Sequence, residues 1–208
     1  MRIEKTWLGV IAAVGFVVCS GHAVPSEAEL RVSVETYFSD LFQRLGKAAE
    51  QAPTVDTFRA VMKPQIEKID GLYGATLINA DWEIRQVYFK RDFLAVGFSL
   101  KNVKELDTFR KLMEEKPAPQ LSEPGHGNMI QPRLIAMRYP VIKDGKMASM
   151  VSLMIRTEAF LKAVKLDTCK AFKFTCFGKE AESKGTFSNA PKEVRVALPS
   201  TEWVIQYE

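Results

Sequence analysis

Histidine is almost missing from this chain: its 208 residues include two, His22 and His126. A Ser-His-Asp arrangement would have to rely on His126, which stands in the run Pro124-Gly125-His126-Gly127, a poor place to hold a base. There is no Gly-x-Ser-x-Gly, no His-Glu-x-x-His and no phosphate-binding glycine loop. Adjacent carboxylates such as Glu114 and Glu115 point different ways on a helix and do not form an acid-base couple. The expectation is a protein that is not an enzyme. A hydrolase acting through scattered carboxylates is the one catalytic alternative.

Concentrated charge is lacking as well. Lys and Arg number 29 against 25 Asp and Glu, an excess of four spread along the chain and not gathered in blocks. A nucleic-acid binder needs a basic stripe, so no nucleic-acid partner is expected. Three cysteines and two histidines supply no metal-ligand set, and Cys169 and Cys176 are not spaced as Cys-x-x-Cys, so neither a metal site, a redox role nor a cofactor is predicted. The composition, 47% hydrophobic and 26% charged, is that of a folded globular protein. No repeat or linker divides it, and residues 24–208 are read as one domain.

Residues 1–23, MRIEKTWLGVIAAVGFVVCSGHA, have the form of a signal peptide. A positive start (Arg2, Lys5) precedes an apolar run from Trp7 to Val18, and Gly21-His22-Ala23 offers small residues for cleavage before Val24. Twelve residues as a helix cover about 18 Å of a roughly 30 Å hydrocarbon core, short for an anchor. The predicted location is periplasmic or secreted; an inner-membrane anchor through residues 7–20 and a lipid-modified Cys19 are the alternatives. Export suits a Cys169–Cys176 disulfide closing a small loop, worth roughly 2 to 3 kcal/mol.

After the leader, Ser26-Glu27-Ala28-Glu29 is a capping box, and Leu30, Val34, Tyr37, Phe38, Leu41 and Leu45 keep helical spacing to about Gln51. A second helix opens near Thr54 and meets Pro64. Residues 74–80 and 84–89 read as a hairpin, 104–116 as a short helix, and 116–132 as a Pro- and Gly-rich loop. A long hairpin about Asp144-Gly145, a short helix from Thr157 and two late strands in 194–207 complete an α+β pattern. One antiparallel sheet with the long amino-terminal helix on one face is expected.

Three stretches, KIDGLYGATLINADWEIRQVYF, RLIAMRYPVIKDGKMASMVSLMIRTEAFL and ALPSTEWVIQYE, resemble successive pieces of the extracytoplasmic Cache sensor domains, relatives of the PAS fold found on bacterial chemoreceptors and sensor kinases. Asn79-Ala80-Asp81-Trp82 stands where such domains commonly have Asp-x-Asp-Gly. The resemblance implies a PAS/Cache-like sheet whose second face is covered to close a small-molecule pocket. It implies a sensor-type domain for an organic acid or amino acid, working with a membrane receptor or kinase, because no second apolar run follows the domain. A structural or protein-interaction domain with no pocket is the alternative.

The arginines of PRLIAMRYPVIKDGKMASMVSLMIR are the candidate ligand groups. A two-residue turn at Asp144-Gly145 would pair Tyr139 with Met150, Arg138 with Val151 and Arg133 with Arg156. Arg133 opposite Arg156 repels and needs an acid, an anion or water. Arg138, mid-strand, needs a protein carboxylate, the commoner fate, or a ligand carboxylate held in two bonds. Tyr139 and Tyr88 can add hydroxyls, and His126 sits in a loop able to close over a site. Lys162, Lys165, Lys170, Lys173 and Lys179 are read as a solvated face.

Overall fold

The computed structural model describes residues 24–89, 95–124 and 133–208. Helix α1 (Glu27–Glu50) starts at the expected capping box, the Ser26 side chain accepting from Glu29 N while the Glu29 carboxylate accepts from Ser26 N. Its buried stripe is Leu30, Val34, Phe38, Leu41, Phe42 and Leu45. Helix α2 (Phe58–Ile66) carries Pro64 and leads into β1 (Leu72–Asn79) and β2 (Ile84–Phe89). Two 3-10 turns precede α3 (Asp107–Glu115) and the short β3 (Gln120–Leu121). The long hairpin is β4 (Leu134–Lys143) and β5 (Lys146–Arg156), followed by α4 (Thr157–Ala163). Strands β6 (Phe172–Cys176), β7 (Lys179–Lys184), β8 (Lys192–Leu198) and β9 (Thr201–Tyr207) end the chain.

There are two antiparallel sheets where one was expected: β2-β1-β5-β4-β3 and β7-β6-β9-β8. The second was half hidden because β7, KEAESK, is an edge strand with little apolar content. In β6, Phe172, Phe174 and Cys176 turn inward while Lys173 and Thr175 turn outward, a period of two that the interleaved lysines disguise. A continuous core joins α1, one face of the first sheet and the inner face of the second. Trp203 lies at its centre, ringed edge-on by Phe38, Phe160 and Phe174 at 5.2 to 5.7 Å between centroids.

The hairpin register departs from expectation by one residue. Asp144 and Gly145 do form the turn, both at positive φ, and Lys143 pairs with Lys146. Beyond it Ile142 pairs with Met147 but Val141 pairs with Ser149, so Ala148 bulges out and every later pairing shifts. Arg138 therefore faces Ser152, and Leu134, not Arg133, faces Arg156. Since one residue of slip exchanges the two sides of a strand, the grouping of β4 with β5 side chains is the reverse of that expected.

The predicted disulfide is absent: Cys169 and Cys176 are both free and buried. Cys176 is opposite Trp203, whereas Lys170, next to Cys169, bonds to Glu208 O. Those levels are separated by roughly 16 Å at about 3.3 Å per strand residue, against a Cα limit of about 7 Å for a bridge. Burial pushes both thiols up, Cys176 to about 12. Residues 1–23 lie outside the described residues, among which no helix is long and apolar enough to cross a membrane.

Candidate functional site

The side of the first sheet away from α1 carries a polar row. Gln120 on β3 pairs with Arg138 on β4, Arg138 with Ser152 on β5, and Ser152 with Thr76 on β1. Directly opposed residues share a face, and the alternating neighbours Leu121, Met137, Leu153 and Leu77 all belong to the core under α1. All four polar residues are buried, Arg138 to 4% exposure and Gln120 to 1%. Burial without partners is costly, so each polar atom in the row needs an account.

Helix α3 supplies the cover. The Arg138 guanidinium lies over the Phe109 ring, 5.6 Å from its centroid. Its Nε and Nη1 have no hydrogen-bond partner among the described residues. Burial lowers the Arg138 pKa to about 10, outweighing the attraction of Glu123, which acts in the other direction. Even so the side chain is charged at neutral pH. Gln120 is fixed by donating from Nε2 to Phe109 O at 2.7 Å. A carbonyl only accepts, so the amide orientation is determined, and Oε1 is left buried with no partner among the described residues. Ser122 pins this edge, its N donating to Ala136 O and its hydroxyl accepting from Ala136 N, both at 2.8 Å.

Beside the row lies a separate apolar cluster of Ile78, Trp82, Ile84, Val87, Met113 and Met150. Trp82, fully buried, holds a left-handed backbone (φ 64°) in the β1–β2 turn, and its Nε1 also lacks a partner among the described residues. A bulky residue at positive φ costs of order 1 kcal/mol or more and persists where its surroundings fix it. The place combines a buried cation, an acceptor unpaired among the described residues, hydroxyls and an apolar wall, which suits a small anionic ligand.

The sequence-predicted residues do not converge. Tyr139 faces α1, where a Cβ added at Gly46 would come within 3.4 Å of its ring. Tyr88, opposite Ala75, is on that same α1 side, with Arg59 over its ring at 5.7 Å. Arg133 points toward the second sheet, its Nε 2.8 Å from Glu182 Oε2. No well-aligned hydrogen bond to that oxygen accompanies the contact, so it is an ion pair. His126 lies outside the described residues. Of the four that are described, Arg138 is the one placed in the polar row. Gln120, Ser152, Thr76, Phe109 and Trp82 were missed; the one signal available was the pairing of Ser152 with a mid-strand arginine, which the bulge concealed. Two open depressions, of about 380 Å³ on α1 and about 500 Å³ on the outer face of the second sheet, are lined by surface residues and lie away from this chemistry.

No family model matches the chain, and no curated protein sequence matches it. Solved structures do. An extracellular ligand-binding receptor from Desulfohalobium retbaense aligns at a TM-score of 0.65 and 17% identity over 86% of this chain and 39% of that one. The ligand-binding domain of the Pseudomonas fluorescens chemoreceptor CtaA, solved with L-alanine, aligns at 0.62 and 14% over 87% and 92%. The Pseudomonas aeruginosa chemoreceptor PctB domain, solved with L-Arg, aligns at 0.66 and 12% over 87% and 90%. The chain has the Cache-type fold of these domains. At these identities the likeness is one of architecture, and this Cache-type chain spans 39% of the first relative's length and about nine-tenths of the other two. The long helix and the antiparallel sheets belong to that shared Cache-type fold.

Proposed function

We propose that this chain is an exported, non-catalytic sensor-type domain that binds a small carboxylate-bearing ligand on the α3-covered side of the first sheet and acts with a membrane receptor or kinase. The observation that carries the reading is Arg138, 4% exposed, with Nε and Nη1 free of partners among the described residues. A guanidinium donates charge-assisted hydrogen bonds to a carboxylate, and leaving a buried charge without such a partner is costly. The Cache-type fold supports it, since relatives of this fold were solved with L-alanine, L-Arg and GABA, all of them carboxylates. The 1–23 leader supports export.

The test is a thermal-shift screen of residues 24–208 against organic acids, amino acids and amines lacking a carboxylate. A bound acid at 100 times its dissociation constant adds about 2.7 kcal/mol of stability. Arg138→Met is expected to abolish that response while changing the stability of the unliganded protein by no more than about 1 kcal/mol, because Nε and Nη1 of the group it removes hold no hydrogen bond to any carboxylate among the described residues. A loss of about 3 to 5 kcal/mol in this variant would make Arg138 half of an internal pair and favour the interaction-domain alternative.

A further inference from the structure

We infer that Gln120 reads a hydrogen-bond donor on the ligand beside its carboxylate, so that the site takes a 2-hydroxy or 2-amino acid in preference to an unsubstituted one. The inference rests on the Arg138 reading and adds a second group to it. Gln120 and Arg138 are direct partners across β3 and β4 and share a face, which brings their Cβ atoms to about 4.5 to 5.5 Å. Among the described residues one presents donors without partners, the other an acceptor without a partner, and both side chains are nine-tenths buried or more.

The two do not satisfy each other. Gln120 is tied from behind by its bond to Phe109 O, and the same residue's ring carries the guanidinium, so Phe109 holds both groups in place. The complement of this pair is a molecule with two acceptor oxygens for Arg138 and an O–H or N–H close by for Gln120 Oε1. A 2-substituted acid meets that description, because its donor atom and its carboxyl carbon are bonded to one carbon. An acid lacking the donor leaves the buried Oε1 desolvated and unmet, which lowers affinity by roughly tenfold or more. An amine and a hydroxyl satisfy the amide oxygen alike, so the arms of the test separate them.

The experiment is calorimetric titration of residues 24–208 with propionate, lactate and L-alanine, three acids of equal carbon number. Wild-type protein is expected to bind lactate, L-alanine or both at least about tenfold more tightly than propionate, and the stronger of the two names the donor. Gln120→Met removes the acceptor and should bring the affinity ratios close to one, with propionate binding little changed. Gln120→Glu places a carboxylate opposite Arg138 and should suppress binding of all three, because the guanidinium is then engaged internally. Equal wild-type affinities for the three acids, or ratios unaltered in a folded Gln120→Met protein, would overturn the role of Gln120 and leave Arg138 as the carboxylate partner. Failure of every acid to bind would remove the carboxylate reading and this inference together.

Discussion

The two sheets bury polar groups in opposite ways. On the outer face of the second sheet the polar side chains meet one another at the surface: Arg195 contacts Glu193 at 3.2 Å and Glu202 at 3.3 Å, and Gln206 donates to Glu193 at 3.1 Å. Its inner face is packed with Trp203, Phe174, Ile205 and Val194, and among the described residues the unmet groups there are the neutral Trp203 Nε1 and one Glu182 oxygen that faces an arginine. The first sheet instead encloses a guanidinium and an amide on its outer side and leaves donor and acceptor atoms of both unmet among the described residues. Depth of burial is similar, so depth does not mark a site. What separates them is the counter-charge: Glu182, equally unmet at Oε2, has the Arg133 guanidinium 2.8 Å away, whereas the Arg138 donors Nε and Nη1 are unmet among the described residues.

The comparison breaks most sharply at Trp203. Its ring fills the junction of Phe38, Phe160 and Phe174, so Trp203→Ala should cost about 3 to 5 kcal/mol in chemical denaturation. Arg138→Met, at similar depth, should cost no more than about 1 kcal/mol. If the two variants lose stability equally, the contrast between packing and site disappears.

Much of this was legible beforehand. The capping box and the Leu30 to Leu45 spacing locate α1 within a residue or two, and residues 84–89 were placed as β2. What failed did so through single residues and distant partners. Ala148 alone shifts the hairpin register and moves Arg138 from Val151 to Ser152. Nothing local in the Pro-rich segment around Gln120 announces a strand, since its partner lies eighteen residues on and a two-residue strand has no period. Thr76 and Ser152 are small polar residues inside apolar strands, a pattern equally common in ordinary cores. Compartment and loop size favour a cysteine pair, while the strand between the thiols sets their distance.

A smaller effect sharpens the link between the sheets. Glu182 closes the inner row Val194, Ile205, Phe174 across the second sheet, at its β7 edge, and Arg133, just before β4, supplies its counter-charge. Burial raises the Glu182 pKa, with Arg133 and the bond from Ser183 N opposing that. Arg133 is more than half exposed, so screening discounts the pair and Arg133→Met should cost about 1 kcal/mol at neutral pH. The deficit should shrink as pH falls through the raised pKa, since protonated Glu182 has no charge to pair. A pH-independent deficit would locate the loss in the packing of the arginine stem and not in the ion pair.

The smallest effect concerns Glu208. Its side chain accepts from the Ser188 hydroxyl and from Ser188 N at 2.7 Å, with weaker bonds from Asn189, and these hold its pKa down to about 2. A carboxyl with a depressed folded pKa contributes stability that is fully present above its unfolded value, near 4.5, and is lost as pH falls toward the folded one. The sign is opposite to that of Glu182, whose raised pKa favours the fold at low pH. Glu208→Gln keeps an acceptor but no charge. Melting temperatures of the variant should therefore lie slightly below wild type above pH 4.5 and converge with it as pH drops to about 2. Since the group is in part open to solvent, added salt should narrow the gap as well. Curves that stay parallel down to pH 2 would show that the carboxylate's charge adds nothing to the bonds that tie residues 188 and 189 to the end of β9.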